Sequence, residues 1–236
     1  MAFNLFYYLC GMKHECINCP YKSSAAKTLD ENGVAKLTSN HVAVSFAKGD
    51  NIIKQGNYTT NVAFLRKGFV KIHISGPAGE HITRLAKAPT HLGLPTTFGV
   101  NINQYSVTAI SDVEICFIDF NTFLSFLHEN TAFSYQIILE LCNNELESYR
   151  RCVNRTQKQT RGNVADILLE FSGDIYQSDI FIMPLNQTEI GTMCDSTRES
   201  ISRILTEYER EGIISIQGKT VTILNKKSLE MISKNG

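Results

Sequence analysis

The sequence predicts an α+β protein: a barrel or roll of short strands, then one long helix, then a C-terminal winged helix-turn-helix. Three observations predict it. Turn residues punctuate residues 42–120, they vanish over 121–158, and two short helical patterns followed by a hairpin close the chain. The domain divisions read from this are a Cys-containing segment at 1–30, a β-domain at 31–130, a long helix at 131–158 and a winged helix-turn-helix domain at 159–236.

The β-domain is read from apolar runs at 42–46, 52–53, 62–65, 69–74, 82–85, 105–109 and 113–118. Between them stand Lys48-Gly49-Asp50, Gly56-Asn57, Lys67-Gly68 and Gly76-Pro77-Ala78-Gly79. Glycine reaches positive φ without strain and Asp or Asn closes turns locally, so short strands at this spacing build a closed or folded sheet.

Beyond Asn121 the period changes. Phe123, Phe126 and Leu127 form a short helical stripe, and Phe133, Ile137, Ile138, Leu141, Cys142, Leu146, Tyr149 and Val153 form a long one. That run has no Pro or Gly, and its apolar seam needs a partner. A second copy of the chain is expected, on Ile138, Leu141, Cys142, Leu146, Tyr149 and Val153; packing on the β-domain is the alternative.

Residues 164–171 read as a helix and 181–185 as a strand. Thr188 is the expected N-cap of a helix over 189–194, and Ser196 or Thr197 that of a second helix, which Gly212 ends. Residues 213–216 and 220–224 then flank Gln217-Gly218-Lys219 as a hairpin. Polar residues crowd the start of the second helix. Arg198, Glu199, Ser202 and Arg203 suit base edges in a major groove, while Thr197, Ser200 and the wing residue Lys219 suit phosphates.

Charge qualifies this. The 236 residues carry 23 basic and 23 acidic side chains, which excludes strong non-specific polyanion binding. Residues 145–161 hold five cations against two anions, whereas 162–236 hold seven against eleven, so a few placed cations must serve the groove. Seven unevenly spread cysteines are not a secreted disulfide framework, and no apolar stretch is long enough to span a bilayer. A soluble cytoplasmic protein is expected. Nucleophile-elbow, P-loop and HExxH patterns are missing, so an enzyme is not expected; a thiolate-metal enzyme and a non-DNA-binding regulatory subunit are the rival readings.

The stretch from Glu189 through Cys194-Asp195-Ser196-Thr197-Arg198-Glu199-Ser200 to Leu205, with Glu211-Gly212 and Gly218-Lys219, resembles the DNA-binding domain of the Crp/Fnr regulators. Phe46-Ala47-Lys48-Gly49-Asp50, Gln55-Gly56 and Phe64-Leu65-Arg66-Lys67-Gly68 resemble their double-stranded β-roll sensor. Glu199, Ser202 and Arg203 match the Fnr-like recognition pattern, Arg198 matches a Crp-like position, and Asp195 replaces the usual turn Gly. The resemblance implies a homodimeric transcription regulator on operator DNA, with RNA polymerase as a further partner if it activates. Its effector pocket would include Gly93, Leu94, Tyr105 and Ser106. The Glu and Arg that hold cyclic AMP in Crp-like members are missing there, so cyclic AMP is not the expected effector. Fnr-like members hold an iron–sulfur cluster on three N-terminal cysteines and one β-roll cysteine. Cys10, Cys16, Cys19 and Cys116 correspond, although the wide gap here precedes the Cys-x2-Cys pair rather than following it. Zinc on the same thiolates with His14, haem on His41, His73, His81, His91 or His128, and no cofactor at all are the alternatives.

Overall fold

In a computed structural model, described over residues 16–77 and 79–236, the chain forms two compact units. One takes the described residues up to Ser75 with Leu85–Asn143, the other Gly76–Arg84 with Asn144–Gly236.

The first unit starts with helix α1 (Glu31–Ser39), whose Asp30 cap accepts from the Gly33 amide. Eight strands follow: β1 (His41–Phe46), β2 (Asn51–Ile53), β3 (Asn61–Lys67), β4 (Phe69–Gly76), β5 (Gly79–Lys87), β6 (Thr90–Leu92), β7 (Ser106–Ala109) and β8 (Val113–Asp119). They pair as two four-stranded sheets, β1-β8-β3-β6 and β2-β7-β4-β5. Between β3 and β4 the backbone of Gly68 takes φ 89°, and a Cβ there would stand 2.4 Å from the Asp112 carbonyl, so only glycine fits this turn.

Alternation along β3 and β8 divides the core in two. Ala63, Leu65, Val113 and Ile115 join one apolar cluster with Val70, Ile72, Leu92 and Val107. Val62, Phe64, Cys116 and Ile118 join another with Phe123, Phe126, Phe133 and Ile137. Both faces of the first sheet are therefore buried, which explains why β3 reads as a continuous apolar run rather than an alternating one.

Three helices complete this part of the chain: α2 (Leu94–Gly99), α3 (Phe120–Glu129) and the 27-residue α4 (Thr131–Gln157). Helix α4 buries Phe133 and Ile137, with Leu141 packed partly against the same cluster. Leu141 thus leaves the expected dimer face: it lies on the core side of the helix. Ile138, Cys142, Leu146, Tyr149 and Val153 are exposed, and Tyr135 and Leu139 join them.

The second unit contains α5 (Thr160–Glu170), continued by a π-helical turn at Phe171–Ile175, then β9 (Ile180–Ile182), α6 (Gln187–Met193), α7 (Arg198–Arg210), β10 (Ile214–Gln217), β11 (Thr220–Ile223) and α8 (Lys226–Asn235). The strand expected over 181–185 ends at Ile182, because Pro184 has no N–H to extend a ladder. The three-stranded sheet runs β10-β11-β9, and Gly218 at φ 63° makes the two-residue turn of its hairpin. No helix among the described residues is long and apolar enough to cross a membrane.

Candidate functional site

Helix α6 is capped by Asn186, not by the expected Thr188. The Asn186 side chain accepts from the Glu189 amide while the Glu189 carboxylate takes the Asn186 N–H, a reciprocal box that Thr188, already inside the helix, cannot make. The chain then turns tightly. Gly191 lies so near the turn that a Cβ would stand 2.7 Å from the Ser196 carbonyl, and Asp195 adopts the left-handed conformation at φ 50°. Asp is among the residues that tolerate this, so the turn survives without glycine. Its carboxylate receives His81 Nδ1 at 3.3 Å and Arg155 Nε at 3.5 Å.

Thr197 caps α7, its hydroxyl accepting from the Ser200 amide at 3.2 Å and keeping its own O–H to donate. Ile201, Ile204, Leu205 and Tyr208 are buried beneath. The opposite face is open: Arg198, Glu199, Ser202 and Arg203 line one cleft, together with Gln187, Thr206 and Arg210. Glu199, Arg203, Thr206 and Arg210 fall on one helical face by their spacing, a signal present in the sequence but read only as far as Arg203. Arg203 Nε approaches the Glu207 carboxylate at 4.0 Å and stays 74% exposed. Lys219 is exposed on the wing and outside the cleft.

In the first unit, Cys116 lies in the apolar cluster beneath the first sheet and Cys16 packs against that cluster. Phe64 on β3 pairs directly with Cys116 on β8, and a bulge between Leu65 and Lys67 follows. Cys16 and Cys19 lie near enough to Cys116 to act on it by charge, and the Arg66 guanidinium acts on it by charge and hydrogen bond. Burial nonetheless pushes the Cys116 thiol up to about 11 and raises Cys16 as well. Cys16 Sγ stands 3.7 Å from His41 Nδ1. Among the described residues no three His, Cys, Asp or Glu side chains stand at metal-ligating spacing; Cys10 and His14 lie outside the described residues.

The comparisons follow this layout. The family model of the Crp-like helix-turn-helix domain matches residues 163–232, and that of the cyclic nucleotide-binding domain matches residues 43–130. The chain is 24% identical to the nitrogen fixation regulation protein FixK of Bradyrhizobium diazoefficiens, over 93% of this chain and 94% of that one. It is 26% identical to the transcriptional activator protein anr of Pseudomonas aeruginosa, over 80% of this chain and 78% of the other. Its fold is shared with FixK2 of Bradyrhizobium japonicum, at a TM-score of 0.73 and 16% identity, over 81% and 96% of the two chains. The chain belongs to the Crp/Fnr family of transcription regulators. Its relatives and fold neighbours are transcription regulators, not enzymes, and the family and helix-turn-helix support DNA binding in the usual dimeric state.

In this Crp/Fnr protein the four residues expected around an effector pocket lie in the β-roll that the cyclic nucleotide-binding model covers or borders on. The Tyr105 hydroxyl accepts from the Gly93 amide at 3.0 Å, and the Ser106 hydroxyl accepts from Gln55 at 3.0 Å. Leu94 is 3% exposed in the apolar core. Of the four expected pocket residues only Gly93 lines the adjoining cavity, which measures about 180 Å³. Drug-sized ligand pockets run from about 300 Å³ upward. Four of the five described candidate histidines have polar partners: His41 Nδ1 with the Leu37 carbonyl at 3.0 Å, His73 with Thr108 at 2.8 Å, His81 with Asp195 and His91 with Glu140.

Proposed function

We propose that this Crp/Fnr regulator reads operator DNA with α7, as a dimer joined along α4, under the control of a thiolate-held metal centre in place of cyclic AMP. The observation that carries the reading is the open cleft on α7, where Arg198, Glu199, Ser202 and Arg203 face outward from a capped helix. Arg reads guanine O6 and N7 in a bidentate fork and Glu accepts from cytosine N4; Lys219 and the hydroxyls of Thr197 and Ser200 serve phosphates. The dimer face is Tyr135, Leu139, Cys142, Leu146, Tyr149 and Val153, which alternate at spacings of four and three along an exposed stripe, with Ile138 beside it.

Cys10, Cys16, Cys19 and Cys116 are the residues that would hold an iron–sulfur centre, and such a centre would supply oxidation sensing. Cys116 would do so from a buried strand, and Cys16 from a backbone held by its amide on the Thr38 hydroxyl at 3.3 Å. RNA polymerase is the further partner of an activating form.

The test is a gel-shift titration on an operator selected from random DNA. Arg203→Ala lowers specific affinity by about 1–3 kcal/mol while non-specific binding hardly changes. Unaltered specific affinity removes Arg203 from base reading.

A further inference from the structure

The cleft on α7 is lined by two carboxylates, Glu199 and Glu207. Glu199 has a role there as an acceptor from cytosine, but Glu207 has none, and a carboxylate opposes the approach of phosphates. An ordinary surface pair with Arg203, one helical turn back, explains little, because exposed pairs of this kind contribute weakly. Glu207, however, is held from behind. Its Oε2 accepts from Arg161 Nη1 at 3.4 Å, and Arg161 is itself anchored. Arg161 Nη2 donates to Glu211 at 2.5 Å, and its guanidinium lies 5.1 Å from the Tyr208 ring centroid. The fully buried Tyr208 donates its hydroxyl to the Arg161 carbonyl at 2.6 Å.

The other carboxylate oxygen, Oε1, faces Arg203 Nε at 4.0 Å. Each oxygen of Glu207 therefore serves a different guanidinium, one anchored on α5 and one exposed in the cleft. A long arginine side chain loses rotamer freedom when it docks, and a contact made beforehand lowers that loss. The contact also has a direction. A carboxylate on the Nε side leaves the two terminal amino groups as the fork that matches guanine O6 and N7.

We infer that Glu207 is a positioning residue for base reading, which steadies Arg203 through Nε and is itself steadied by Arg161. The inference rests on the reading of Arg203 as a base contact made above. It assigns a residue that touches no base, and it explains why an anion stands in a cleft that faces a polyanion.

The experiment is a double-mutant cycle on full-length protein: wild type, Glu207→Ala, Arg203→Ala and the double variant, with Glu207→Gln beside them. Each is titrated by gel shift against the operator selected from random DNA, against that operator with every base pair of the half-sites substituted in turn, and against an unrelated duplex. The expected result is a several-fold loss of operator affinity in Glu207→Ala with no weakening on the unrelated duplex. The lost discrimination falls at the same base pair that Arg203→Ala affects, Glu207→Gln is intermediate, and Glu207→Ala costs nothing further once Arg203 is absent. An equal loss in the Arg203→Ala background makes Glu207 a structural residue only and overturns the inference. Unchanged or tighter operator binding by Glu207→Ala overturns it too, and leaves Arg203 as a base reader. If Arg203→Ala keeps full discrimination at every base pair, the base-reading assignment falls and the inference with it. If Glu207→Ala does not fold by circular dichroism, Glu207→Gln decides by the same comparison with and without Arg203.

Discussion

Single side chains in this protein are set by what the tertiary structure makes of their neighbours. Glu140 on α4 shows the principle: it accepts from the Thr90 hydroxyl at 3.0 Å, the His91 amide at 2.7 Å and His91 Nδ1 at 2.8 Å. Burial raises its pKa, but these hydrogen bonds and the His91 charge outweigh burial and hold the carboxyl down at about 2. A depressed carboxyl contributes stability above its ordinary value of 4.5, and loses that contribution as pH falls toward 2. Glu140→Ala strands the buried His91 donors and destabilises the first unit by about 2–4 kcal/mol at neutral pH, measured by denaturant unfolding. An unfolding free energy within error of wild type discounts this contact. The sequence showed His91 only as one of several candidate haem ligands, since its partner stands 49 residues away on another element. Arg66 was equally hidden. In sequence it is one member of a basic pair before a turn, and only the β3–β8 register, with its bulge, brings it beside a cysteine 50 positions on.

Among the elements, legibility follows length and period. Strands bounded by glycine turns and the long helix were readable, because many residues report one pattern. Helix α2, of six residues, and strand β6, of three, are too short to display a period. Helix α8 depends on its Asn225 cap and the single buried Leu229. On α4 the sequence merged two faces into one. Leu141 and Cys142 are adjacent, yet about 100° apart around the helix, so one packs on the core and the other looks out. The exposed seam predicts that Leu146→Asp, with a charge at its middle, shifts the protein from dimer to monomer in sedimentation at micromolar concentration. A fully dimeric Leu146→Asp protein would place the interface elsewhere.

For the whole molecule, the neutral charge balance and the DNA-reading role are compatible because the role does not depend on a broad basic surface. Arg198, Arg203 and Arg210 line the α7 cleft in a domain whose anions outnumber its cations. Such a protein gains little from non-specific phosphate attraction and relies on base contacts made twice, once by each copy. The most direct measurement is therefore selection of DNA from a random duplex library by the full-length protein. The account predicts strong enrichment of an inverted repeat whose half-sites lie about 34 Å apart, one helical turn. Recovery of DNA without sequence preference, or of an unrepeated single site, would contradict it.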